Sequence, residues 1–372
     1  MPSGRKGKFF VFYKILILVG ILLICFCIDN PSVSKTTVLQ SIEEEETLNF
    51  VQNIFKIRNA AVLKGDLNTI RELYDLDKRN GLWAFTYQTK KVNYLHSWAE
   101  KQGIEFTDIA SKIKIKWFKV NDQIATINFL ASTTYKYVYK DQPEMENHMR
   151  IGTYHEMKIA KEDEHWLITR EWYTDPFADS LNLEKFNIEE NKALILSMET
   201  RDFSTLDERR KGAVIYADLY CGAADSGENS YQYNTKYKNY NALGGDCTNF
   251  ASQVLYEGGK FKKDNAWNYV KDGSRAWLKA TGFKDYMLYS GRGSLIAYGS
   301  YDKILKASYK LLPGDLVAYE KKGKVAHTAV VTGADSRGYS LVNSHNTDRY
   351  RVPWDLGWSD SGIRFYLIRV NY

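Results

Sequence analysis

The chain has 372 residues, 44% of them hydrophobic and 26% charged, with 6 Pro against 25 Gly. That composition excludes low-complexity disorder, a collagen-like repeat and a small disulfide scaffold, and the length predicts two domains rather than one. The net charge of +6 is uneven: +3 over residues 1–34, −4 over 35–200 and +7 over 201–372.

Arg5, Lys6, Lys8 and Lys14 lead into fourteen uncharged residues, Ile15 to Ile28. A basic stretch followed by an apolar run has the form of an export signal. Counted from Phe9, with Lys14 reaching back to the headgroups, the run is twenty residues long, enough for an anchor. Ser32-Val33-Ser34 offers small residues for cleavage after Ser34, so residues 1–34 read as a signal peptide or a membrane anchor. Cys25 and Cys27 lie inside the run as apolar filler, which leaves Cys221 and Cys247 beyond it.

Residues 35–180 read as an α+β accessory domain. A polar lead-in precedes a helical spacing from Leu48 through Val51, Ile54, Phe55 and Ala61. Gly65-Asp66-Leu67 stops that helix and caps the next, and a third helical stretch covers Val92–Lys101. The period then changes to two: Ile113, Ile115 and Trp117 alternate with lysines, and Asn121-Asp122 turns the chain into Ile124–Leu130. Tyr135–Tyr139, Met149–Ile159 and His165–Thr169 continue as strands. Helices followed by an antiparallel meander predict a curved sheet wrapped on helices, similar to the cone-shaped nuclear-transport-factor-like or SnoaL-like fold. His96, His148, His155 and His165 lie here without ligand spacing, and the module reads as a spacer or interaction domain. Residues 181–204 form a connector.

From residue 205 the pattern concentrates chemistry. Gly244-Gly245-Asp246 precedes Cys247, and Phe250, Ala251, Val254 and Leu255 make one apolar helical face that Gly258-Gly259 closes. Asp246 reads as the helix cap and Cys247 as a first-turn thiol, where free N–H groups favour a thiolate. The base is sought among two histidines, His327 and His345. Leu316–Glu320, Val325–Thr332 and Tyr339–Asn343 read as a three-strand meander; pairing Thr332 with Tyr339 puts His327 opposite position 344. Asn343, Ser344 and His345 then flank it, completing a nucleophile–base–orienter order.

Residues 205–372 resemble the putative amidase domain family, related to the NlpC-type and CHAP cell-wall peptidases of the papain-like superfamily. The resemblance rests on Tyr216-Ala217, Gly245-Asp246-Cys247-Thr248-Asn249-Phe250-Ala251-Ser252-Gln253, Ser274-Arg275-Ala276-Trp277, Leu312-Pro313-Gly314-Asp315-Leu316 and His327-Thr328-Ala329-Val330-Val331-Thr332. It implies a papain-like α+β domain with Cys247 as nucleophile and His327 as general base. Asn343 is the first candidate orienter and His345 the alternative; Tyr240 is the candidate oxyanion hydroxyl. The implied activity is an exported cysteine amidase, extracellular or anchored facing the cell wall. Its substrate would be an amide of peptidoglycan or a wall peptide. No cofactor, metal or nucleic-acid partner is expected, since the basic residues are scattered and no paired ligand spacing occurs. The membrane is a partner only through an uncleaved residue 1–34 segment. An inert wall-binding or sporulation-associated module is the alternative, with Tyr231–Tyr240, Trp354 and Trp358 as its glycan surface. A Cys221–Cys247 disulfide would speak against the enzyme.

Overall fold

The computed structural model describes residues 31–121, 123–162, 165–177, 187–359 and 362–372, with side chains from residue 45 onward. The apolar run behind the export reading lies outside the described residues. Among the described residues no helix is long and apolar enough to cross a membrane. The chain divides after Phe50, and residues 51–372 make one compact unit.

Helix α1 is Pro31–Lys64, so the stretch read as a polar lead-in is helical backbone. It ends where the glycine was expected to end it: Gly65 takes φ +70°, and Asp66 caps α2 (Leu67–Arg71) by accepting from the Asn68 and Thr69 N–H groups. Helix α3, Arg79–Gln102, starts well before the apolar spacing at Val92 and buries Val92, Leu95, Trp98 and Ala99. Strands β1 (Ile104–Asn121), β2 (Ile124–Tyr139), β3 (Gln142–Glu162) and β4 (His165–Tyr173) follow as an antiparallel meander. The two short strands expected at 124–130 and 135–139 are one long strand.

The second half contributes helices α4 (Ile188–Leu196), α5 (Glu208–Leu219), α6 (Cys247–Gln253), α7 (Arg275–Leu278), α8 (Ala280–Tyr289) and α9 (Tyr301–Ser308). Its strands are β5 (Gly293–Gly299), β6 (Leu316–Lys321), β7 (Lys324–Ala334), β8 (Ser340–Ser344), β9 (Asp348–Pro353) and β10 (Ile363–Val370). The described strands join in one sheet of order β1-β2-β3-β9-β8-β7-β6-β10-β5, with β4 on the far side of β3. The α+β expectation therefore holds, with antiparallel pairing throughout the ladders.

Two features join the halves. Strand β3 pairs with β9 at Arg150–Tyr350, Ile151–Arg349 and Gly152–Asp348, and Ala223 crosses so close to Gly152 that an added Cβ would lie 2.0 Å from its carbonyl carbon. Away from this ladder, Lys101 of α3 places its ammonium 2.6 Å from the Asp355 carboxylate, both side chains fully buried. Trp98 Nε1 and the Tyr339 hydroxyl donate to the same carboxylate at 3.1 and 2.7 Å. A charge pair at this depth is costly to break because the survivor stays desolvated. Lys101→Met is expected to lower unfolding free energy by about 3–5 kcal/mol in urea titration. Gly152→Ala is expected to cost at least about 1–3 kcal/mol by overpacking against backbone that cannot move aside.

Candidate functional site

The glycine-rich turn before Cys247 is built by two close approaches. Gly245 takes φ +123°, and a Cβ there would sit 2.1 Å from Asn346 Nδ2, so only glycine fits. Asn346 Oδ1 in turn accepts from the Asp246 N–H at 2.8 Å. Cys247 is the first residue of α6, as the sequence led one to expect. Asp246, however, makes no side-chain cap to that helix. Its carboxylate is taken by three other donors: the Tyr240 N–H at 3.0 Å, Asn249 Nδ2 at 2.9 Å and His345 Nδ1 at 2.6 Å.

His345 is 1% exposed, and its Nε2 lies 2.7 Å from the Tyr220 carbonyl oxygen. With an acceptor at each ring nitrogen, the ring donates twice and is an imidazolium. Burial alone would lower its pKa, but the Asp246 carboxylate more than offsets this, and the net shift is upward. Phe250 stacks on the ring with centroids 4.1 Å apart, and Tyr233 meets its edge. His345 is therefore an ion-pair partner of Asp246 and does not orient His327.

The Cys247 thiol is 5% exposed. Its sulfur lies 3.7 Å from the Thr248 hydroxyl, which is itself 3.3 Å from the Thr328 hydroxyl. Burial pushes the thiol pKa up; hydrogen bonds from the Thr328 N–H and the two threonine hydroxyls pull it back only in part. Thus β7 meets the nucleophile candidate through Thr328, the residue after the expected base. Neighbouring strand residues point to opposite faces. Val330, two residues beyond Thr328, packs with Phe250 and Ala251 of α6 on that same face. His327 is turned to the other face of the sheet, 5.2 Å from the Tyr319 ring and stacked 5.1 Å from Trp358. The sheet itself separates the expected dyad.

The remaining expectations are corrected by the same geometry. Strand β8 pairs Val330 with Asn343 and Val331 with Val342, two residues away from the expected register, and the ladder ends before reaching His327. Asn343 donates to the Ala217 carbonyl and to Asp218 and accepts from the Thr332 hydroxyl, tying β8 to α5. The Tyr240 hydroxyl bonds Asp272 rather than pointing at an oxyanion position. Cys221 and Cys247 are both free. Trp354 is fully buried, which removes it from any glycan surface. Thr248, Thr328 and Asn346 were missed, although Thr328 was reachable from the choice of strand face.

Beside the turn lies a cleft of about 700 Å³ that Gly244, Gly245 and Asn346 line from one side and Tyr154, Trp172 and Thr174 from the other. His327, by contrast, is buried with an unpartnered Nε2, and burial followed by the Arg349 charge pushes its pKa down to about 3. A histidine held neutral in the fold contributes stability that is present above its unfolded value near 6.5 and lost as pH falls toward 3. Between pH 7.5 and pH 5, His327→Phe is expected to reduce the drop in unfolding free energy by about 1–2 kcal/mol relative to the parent. Urea midpoints at the two pH values measure it.

Residues 207–368 match the family described as "Putative amidase domain". Over 280 residues the chain is 24% identical to the uncharacterized protein YhbB of Bacillus subtilis (strain 168), covering 68% of this chain and 76% of that protein. Among solved structures, the intermembrane space region of chloroplast protein ARC6 gives a TM-score of 0.25 at 14% identity, covering 34% of this chain and 95% of its own. An NTF-2 like protein of unknown function from Shewanella oneidensis MR-1 gives 0.22 at 16% identity, covering 33% and 94%. Likenesses of that size leave the fold to be read from the strand order. The sequence match is of another kind, running from the N-cap of α5 to within four residues of the C-terminus: residues 207–368 belong to the putative amidase domain family.

Proposed function

We propose that residues 207–368 hydrolyse an amide bond with Cys247 as the nucleophile, in an exported protein acting on a cell-wall peptide. The observation that carries the reading is the Gly244-Gly245-Asp246-Cys247 turn at the edge of the 700 Å³ cleft, inside a domain of amidase sequence. Amide hydrolysis needs a nucleophile at a site that can also hold the substrate, and here Gly244 and Gly245 line an open volume two residues before the thiol. In the first step the sulfur bonds the carbonyl carbon and the C–N bond breaks; the thiol proton leaves on the amine. Water then hydrolyses the thioester and regenerates the thiol. The Thr328 N–H and the threonine hydroxyls stabilise the thiolate form. The Asp246–His345 ion pair holds the turn that presents the thiol, and His327 lies across the sheet from it. Export rests on the basic and apolar pattern of residues 1–34 and the wall substrate on the related peptidases.

A second reading has its own support: a thiol whose pKa burial raises, with the expected base facing away, suits an inert wall-binding module. Alkylation separates the two. Under the enzyme reading iodoacetamide modifies Cys247 at neutral pH, and purified wall loses hydrolysable amine release with Cys247→Ala. His345→Gln is expected to lower the rate by about tenfold by leaving the Asp246 carboxylate buried without its cation and loosening the turn, whereas His327→Gln changes it by less than about threefold. A thiol inert to iodoacetamide, with equal amine release by parent and Cys247→Ala, establishes the module instead.

A further inference from the structure

The floor of the 700 Å³ cleft is a hydrogen-bonded chain with two valences left over. Tyr154 and Asn241 Nδ2 both donate to the Tyr233 hydroxyl, at 3.2 and 3.3 Å. Tyr233 passes its own proton toward Asp348 Oδ2, which also accepts from the Ala223 N–H at 2.7 Å. That satisfies one oxygen of Asp348 and uses the amide nitrogen of Asn241. Asp348 Oδ1 and Asn241 Oδ1 are buried without a donor, and both residues line the cleft.

Buried polar atoms are normally paired, so two orphan acceptors on residues that line one cleft call for a guest that donates. The charge pattern narrows the guest. The described lining residues include two carboxylates, Asp175 and Asp348, and no lysine, arginine or histidine, although residues 201–372 carry a net +7. Asp348 is 1% exposed, and burial pushes its carboxyl up to about 6, as expected of an acid that lacks a cation. Trp172, 57% exposed, offers an indole face at the rim, suited to an ammonium or the carbon stem behind it.

We propose that this cleft is a primary-ammonium site: Asp348 Oδ1 and Asn241 Oδ1 accept from the amino group of a peptide, with Trp172 covering its first side chain. Calling that peptide a substrate rests on the amide-hydrolase reading; its binding does not. Tyr154, Trp172 and Asp175 come from the segment before residue 180, which thereby becomes one wall of the site and selects peptides with a free amino terminus.

The test is calorimetric titration of the full chain carrying Cys247→Ala with alanylalanine amide and with its N-acetyl derivative. The free amine is expected to bind at least tenfold more tightly than the acetylated peptide. Asp348→Asn, which keeps the acceptors for Tyr233 and Ala223 but removes the charge, is expected to bring the ratio to within twofold. Should that variant melt early, Asn241→Ala is expected to reduce the ratio, and the exposed Trp172→Ala to weaken both peptides. Equal affinities in the parent, no binding of either peptide, or a ratio unchanged by both polar variants overturns the proposal. None of these outcomes depends on turnover, so they stand apart from the alkylation and hydrolysis results for Cys247.

Discussion

A lysine ammonium and an aspartate carboxylate, 2.6 Å apart and sealed from solvent, fix how the two halves of residues 51–372 meet. Lys101 also lies over the Tyr301 ring, and Asp355 takes additional donors from Trp98, Tyr339 and Ser359. Such a pair is maintained only if every neighbour is held in place. These bonds pin the turn at Asp355, which has a tryptophan on either side. Trp354 goes into the core against Phe365, and Trp358 is laid across His327. Arg349 reinforces the arrangement by donating to the Leu356 and Pro176 carbonyls. The surroundings of the expected catalytic base are thus set by contacts that begin in α3, far earlier in the chain.

On the other face of the sheet a single carboxylate organises the turn before Cys247. Asp246 gathers the Tyr240 N–H, the Asn249 amide and the His345 imidazolium, leaving no oxygen free to cap α6. Both kinds of bond are charge-assisted, but the bond to an imidazolium joins two opposite charges, where a cap would join the carboxylate to a backbone dipole. The same bond removes His345 from the list of orienters and makes it part of the scaffold that presents the thiol.

Much of this was legible in the residues. The Gly65-Asp66 stop and cap, the β1–β4 meander and the strands β6, β7 and β8 all follow from period and turn chemistry, although β1 begins at Ile104 rather than Ile113 and β3 at Gln142 rather than Met149. The start of α3 was not, since Leu82 and Trp83 are exposed and leave no apolar stripe to read before Val92. The site was legible in composition but not in assembly. Cys247, Asp246, His327, Asn343 and His345 were singled out as nucleophile, cap, base and orienters, and all are buried. A two-residue change in register and the choice of strand face then decide which of them meet.

The sequence by itself carried the export-like pattern of its amino terminus, the α+β composition and the thiol at the start of a helix. These follow from local spacing, which each stretch carries without reference to the rest. Tertiary structure alone decided that Thr328 rather than His327 faces Cys247, that Asp246 pairs with His345, and that Tyr154 and Trp172 wall the cleft beside the turn. Those contacts join residues far apart in the chain. They depend on strand register, on which face of a twisted sheet a side chain takes, and on the ladder from β3 to β9, and no local window contains any of these.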